Sequence, residues 1–237
     1  MKNILLFLLL LPASFVLAQN STRLRSLTEL KSELDNLEKN EIKVQSISIA
    51  DSGDWLLLFG DFGYSYNMIP NKLASLIKSQ NSKQTILKSA QLFNEQEWFL
   101  ASENTTNIAV KNVELYKSFK LLKSKNKNIR KVIVNSDGQW LILYNGNGLI
   151  FSKIPVNMQQ QLKRIKSIKS TIDNIYVDGN SWLIQYGKTN ISFKNIPNSL
   201  APAFKQLVEK KYTVNHIEIN KGNWVIVYNN YRYMCNF

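Results

Sequence analysis

The sequence predicts an α+β tandem repeat: five helix-plus-three-stranded-meander units of about 42 residues, closed into a β-propeller-like ring with peripheral helices. Three observations predict it. The five tryptophans, Trp55, Trp98, Trp140, Trp182 and Trp224, are separated by 43, 42, 42 and 42 residues, and a fixed spacing of this size marks a tandem array. The same order of patterns returns around each of them: an alternating run, a polar turn, an apolar run headed by tryptophan, a second turn and another alternating run. In three copies a proline (Pro70, Pro155, Pro197) stands fifteen residues after the tryptophan.

The first unit shows each element. Leu24, Leu27, Leu30, Leu34 and Leu37 recur at steps of three and four among charged residues, which predicts an amphipathic helix with one narrow apolar stripe. Ser26 followed by Glu29 fits a capping box that would start its regular part. Val44 to Ile49 alternates as a half-buried strand does, and Asp51-Ser-Gly-Asp54 has turn chemistry. Trp55 to Phe59 is apolar at every position, as in a strand covered on both faces. Gly60 to Gly63 turns again, Tyr64, Tyr66 and Met68 alternate along a third strand, and Pro70 opens the next helix. The units run over about 24–68, 69–112, 113–154, 155–196 and 197–237. In the second, Ser102 to Asn107 replaces a glycine turn, and a one-residue loop insertion there would explain the single spacing of 43.

One such unit cannot bury its own strand faces, so neighbours must stack. An open α/β solenoid is the alternative to a ring, but it needs polar terminal caps. Here the first helix carries a full leucine stripe and the last unit is as apolar as the middle ones, which favours closure. The repeat length and the Gly-x-Trp hairpins at Gly53, Gly138 and Gly222 resemble propeller repeats such as WD40. The Trp-Asp dipeptide of those repeats is absent here, and a helix replaces one strand.

Lys2 followed by an apolar run from Ile4 to Leu11 and small residues up to Ala18 predicts a secretory signal peptide over residues 1–18, leaving one repeat domain over 19–237. The stretch is too short for a comfortable membrane span. An exported chain, periplasmic or extracellular, is the expectation. Cys235 is the sole cysteine, so no intrachain disulfide can form and packing must stabilise the fold.

Little in the chain points to catalysis, a metal or a cofactor. His216, the one histidine, falls by its distance from Trp224 in the column of Ile47, Ala90, Val132 and Asn174, a structural place. Cys235 shares an offset with Tyr66, Phe151 and Phe193, which reads as a core column. Asp51, Asp54, Asp137 and Asp178 sit in turns where Asp is simply favoured. Gly146-Asn-Gly148 is a hairpin turn, and no nucleotide-binding or nucleophile-elbow motif occurs. The tryptophans head apolar strands and read as core, leaving Tyr231 and Phe62, in second turns, as better ligand contacts.

The sharpest functional lead is charge. The chain carries a formal +13, and between Leu115 and Ile172 there are twelve Lys or Arg against one acid, Asp137. Lys117, Lys120, Lys123, Lys125, Lys127, Arg130 and Lys131 run along and beyond one helix, and Lys163, Arg164, Lys166 and Lys169 along the next. They would form a basic belt toward an anionic partner, against the plainer reading of a solvated helix face. The function expected is a non-enzymatic binding or scaffold module for a protein or glycan partner. Alternatives are an accessory envelope protein docking to anionic lipid or polyanionic glycan through the belt and, least favoured, an enzyme with a loop-built site. Nucleic acid is a disfavoured partner.

Overall fold

The computed structural model describes residues 11–135 and 137–237, with side chains from Arg25 onward. Residues 1–10 of the expected signal peptide lie outside the described residues, and Leu11 to Ala18 belong to the backbone of the first helix. No helix of the described residues is long and apolar enough to cross a membrane.

Five units follow one another, each a helix and then three strands. The first is α1 (Leu11–Lys39), β1 (Val44–Ile49), β2 (Trp55–Phe59) and β3 (Gly63–Asn67). The second is α2 (Asn71–Ser82), β4 (Leu87–Leu92), β5 (Trp98–Ser102) and β6 (Thr106–Ala109). The third is α3 (Val113–Ser124), β7 (Ile129–Val134), β8 (Trp140–Tyr144) and β9 (Gly148–Ser152). The fourth is α4 (Val156–Ser167), β10 (Ile172–Asp178), β11 (Ser181–Tyr186) and β12 (Asn190–Lys194). The fifth is α5 (Leu200–Glu209), β13 (Val214–Asn220), β14 (Asn223–Tyr228) and β15 (Arg232–Cys235). Each unit's strands form a separate antiparallel three-stranded sheet in chain order.

The helices are peripheral, each wedged between two neighbouring sheets. Trp55 and Leu57 pack with Leu27, Leu30, Leu34 and Leu37 of α1, while Leu56 and Leu58 of the same strand pack with Leu73 and Ile77 of α2. Trp98 and Leu100 join the α2 cluster, and Phe99 and Ala101 join that of α3. Every central strand is therefore apolar at consecutive positions because each face meets a different helix. The wedge of α1 also contains Val225 and Val227 of the last sheet, with Tyr233, Cys235 and Phe237 against it. This closes the ring by packing, with no strand shared between first and last sheets.

Two expectations change, the capping box and the inserted loop. Ser26 is inside α1, not its cap: its hydroxyl donates to the Gly53 carbonyl at 2.8 Å, and its carbonyl accepts from Trp55 Nε1 at 2.9 Å. Glu29 accepts from Asn67 Nδ2 at 3.1 Å instead of bonding back to the Ser26 backbone. The spacing of 43 is not an insertion. In the β5–β6 hairpin Phe99 pairs with Ile108, one residue nearer than Leu56 to Tyr66 in β2–β3, so that turn is shorter. In the fourth and fifth units the first turn is a residue shorter, with Asp178 opposite Ser181 and Asn220 opposite Asn223. The full-length unit is the one with spacing 43, and the three spacings of 42 conceal deletions at two different places.

Leu34 is 1% exposed, and truncating it to alanine is expected to cost about 2–5 kcal/mol, measured by urea unfolding. Because Cys235 borders the same wedge, Leu34→Ala should also speed labelling of that thiol under native conditions. The comparable Leu162→Ala change in α4 should leave the labelling rate near wild type.

Candidate binding cavity on the ring axis

The first strands β1, β4, β7, β10 and β13 stand innermost, each with one backbone edge unpaired by its own sheet. Buried backbone polar groups need partners, and polar side chains of the preceding unit supply them. Ser46 Oγ donates to the Ala90 carbonyl at 3.2 Å and accepts from its N–H at 3.1 Å, and Ser48 Oγ accepts from Leu92 N at 2.8 Å. Gln91 Oε1 accepts from Val132 N at 3.3 Å, and Asn174 Oδ1 from Ile217 N at 3.3 Å. Across the ring closure Glu218 Oε1 accepts from Ile49 N at 3.2 Å, and Asn220 Nδ2 donates to the Ile49 carbonyl at 3.1 Å.

The junction of third and fourth units differs. Ile133 pairs with Leu141 in the register where Ser48, Gln91 and Glu218 make these bonds at other junctions, and an aliphatic side chain can make no such bond. The two units are joined at their ends instead. Arg130 Nη1 donates to Ile172 O at 3.0 Å, Asn135 Nδ2 to Asp178 Oδ1 at 3.3 Å, and Gln139 Nε2 to Gly179 O at 2.9 Å.

Inside the ring is a cavity of about 300 Å³, lined by the second halves of all five first strands and the turns after them. Deep in it Lys131 Nζ stands 3.7 Å from Glu218 Oε2, with both side chains less than a fifth exposed. Burial pushes the Glu218 carboxyl up, and the Lys131 ammonium pulls it back. Tyr176 lines the wall; burial and then the charges of Asp178, Glu218 and Asp51 push its phenol well up. At the mouth burial raises the Asp178 carboxyl, and nearby Asp51 and Asp137 raise it further. Lys221 partly balances them, donating to the Asp51 carbonyl at 3.0 Å with its ammonium 3.8 Å from the carboxylate. An acidic mouth thus leads past Ile133, Phe93 and Tyr176 to a mixed-charge floor.

His216 shares a strand face with Glu218 but is not part of the cavity lining, and its expected column is wrong. The shortened turn of its unit places it opposite Val227, in register with Ser46, Ser89, Lys131 and Asn174. Burial, then the Lys131 charge, push its imidazole down to about 4, so it is neutral near pH 7. Cys235 pairs with Val225 as Phe151 does with Leu141, but that column is not core: Tyr66, Phe151 and Phe193 are 41%, 37% and 46% exposed. Burial pushes the half-buried Cys235 thiol up, and it donates to Phe237 O at 3.4 Å, a setting that does not activate a nucleophile. No group of three or more His, Cys, Asp or Glu among the described residues is arranged to hold a metal.

The basic residues divide. Lys117, Lys120 and Lys123 are exposed on α3, Lys125 and Lys127 follow it, and Lys163, Arg164, Lys166 and Lys169 are exposed on and after α4. Arg130 and Lys131 leave the belt because they lie in β7: Arg130 staples the β8–β9 turn through Gly146 O at 3.0 Å, and Lys131 faces the cavity. Of the second-turn aromatics, Phe62 is 38% exposed and Tyr231 is half-buried. The cavity residues Ser48, Gln91, Tyr176 and Glu218 escaped the sequence reading. Their signal was polar residues alternating along otherwise buried first strands.

No protein-family model matches the chain, and no curated protein matches it. Among solved structures the chain is similar to one titled "YCF48 bound to D1 peptide", at 7% identity and a TM-score of 0.34, over 80% of this chain and 77% of that one.

His216 gives a pH test. Its folded pKa lies below the free value of 6.5, so the fold favours the neutral ring. That contribution is complete above about pH 6.5 and is lost as pH falls toward 4. A His216→Gln variant should lose less stability than wild type over this interval, by about 1–3 kcal/mol at pH 4, in thermal melts at matched ionic strength.

Proposed function

We propose that the chain is an exported, non-enzymatic binding module that holds a protein partner by a side chain or chain end entering the axial cavity. The observation that carries this reading is the cavity itself. Its volume of about 300 Å³ lies at the small end of the range for ligand sites and suits one inserted side chain better than an extended oligosaccharide. Its wall combines apolar Ile133 and Phe93 with the polar groups of Tyr176, Asp178 and Glu218, the mixture that fixes both affinity and orientation. A sugar partner would want exposed aromatic platforms beside the cavity, but all five tryptophans are only 3–6% exposed, and the exposed Tyr66, Phe151 and Phe193 lie outside its lining.

A peptide display library panned on the immobilised protein tests the proposal. Selected peptides should bind the wild type and lose at least about tenfold in affinity when Ile133→Trp fills the cavity, while Lys117→Gln on the outer face changes little. Peptides that bind the filled variant equally well, or a library that yields no binder, would refute the axial site. Export has its own readout. Residues 1–18 fused to alkaline phosphatase should yield active phosphatase outside the cytoplasm, and a cytoplasmic, inactive fusion would count against export.

A further inference from the structure

All five helices run in the same sense along the ring. They run from the level of the first turns, where Ser26 within α1 meets Gly53, to the second turns, where Asn81 Nδ2 donates to Phe62 O and Lys123 Nζ to Thr106 O. The acidic cavity mouth and the helix C-termini are therefore at opposite ends. At the C-terminal end, α2, α3 and α5 finish on Lys83, Lys125 and Lys210, but α4 finishes on Ile168, which is 58% exposed. One turn before the end of α3, Leu121 is 51% exposed where α2 has Ser79 and α4 has Arg164. Neither Leu121 nor Ile168 belongs to a hydrophobic cluster of the fold.

Lys125 and Lys127 follow Leu121 within six residues of chain, Lys166 and Lys169 flank Ile168, and all four lysines are exposed. From Leu115 to Ile172 the one acid is Asp137, in a first turn at the far end of the ring. The attraction of cations to helix C-termini explains the lysines, but it does not explain two unpacked aliphatic residues among them. α3 and α4 flank a single sheet: Ile150 of β9 packs on the α3 cluster and Leu149 on the α4 cluster.

We infer that this end of the ring, built from the C-termini of α3 and α4, docks on an anionic lipid bilayer, with Leu121 and Ile168 entering the headgroup region. A soluble polyanion would use the lysines alone. A bilayer uses both, since interfacial binding combines buried apolar surface with attraction of basic residues to anionic lipid. Docked in this way, the ring presents its acidic mouth away from the negative surface. The inference stands independently of what the axial cavity holds.

Vesicle co-sedimentation of the full chain tests it, with phosphatidylcholine alone and in equimolar mixture with phosphatidylglycerol, and heparin as a soluble polyanion. Wild type should sediment with the anionic vesicles and far less with the neutral ones. Leu121→Ser with Ile168→Ser should lower vesicle affinity about tenfold and leave heparin binding unchanged. Replacing Lys125, Lys127, Lys166 and Lys169 by Gln should weaken both, by about fivefold per lysine toward vesicles. A polarity-sensitive dye on Ile168→Cys, in a Cys235→Ser background, should brighten on anionic vesicles without depending on the serine variants. Failure of wild type to sediment, vesicle affinity unchanged in the Leu121 and Ile168 variant, or a dye that stays dark would each overturn the inference.

Discussion

Five central strands are apolar on both faces, and the rest of the ring answers to that condition. A three-stranded sheet packed on one helix would leave the other face of Trp55 to Phe59 against water, so each sheet is held between two helices. Odd residues of β2 go to α1 and even ones to α2. Full burial of a leucine is worth about 1.5–3 kcal/mol, and Leu27, Leu30, Leu34 and Leu37 are all at most 1% exposed. The helices therefore serve as spacers whose apolar stripe is shared by two neighbours, which is why a narrow stripe suffices.

Wedges at the outside push the first strands together at the inside, where their free edges would otherwise be unpaired. Ser46, Ser48, Gln91, Asn174, Glu218 and Asn220 answer that need by bonding the next unit's backbone. A polar lining on the axis is thus first a requirement of the fold. Ile133 breaks the pattern, and Lys131 reaches past the neighbouring unit to Glu218. Pairing a buried lysine with a buried carboxylate across the axis does not follow from edge satisfaction alone, and it gives the cavity its chemical character.

The α1 leucines and the tryptophan-headed runs were legible because each expresses its burial in local periodicity, and closure followed from the lack of a polar cap. Offsets counted from tryptophan failed for His216, because a turn shortened by one residue moves every preceding position to the opposite face of the strand. For Cys235 the column was correct and the residue does pack against the α1 cluster, but alternation does not say that the same third-strand face meets water at Tyr66, Phe151 and Phe193. Lys131 was assigned to a surface belt because a run of basic residues crosses from helix into strand without a change in composition. Leu121 and Ile168 carry no signal in the sequence, since a single aliphatic residue among lysines does not reveal whether it is packed or exposed.

The wedge of α1 has a consequence for the order in which the molecule assembles. Every other helix meets both of its sheets within roughly one repeat of chain, but α1 needs Val225 and Val227, nearly the whole sequence away. Its leucine stripe is therefore half-covered from the moment the first sheet forms until the last has been made. Contacts so distant in sequence form late, and a chain emerging N-terminus first exposes this seam longest. Until the ring closes, the first and last sheets each offer an apolar face to whatever else is near.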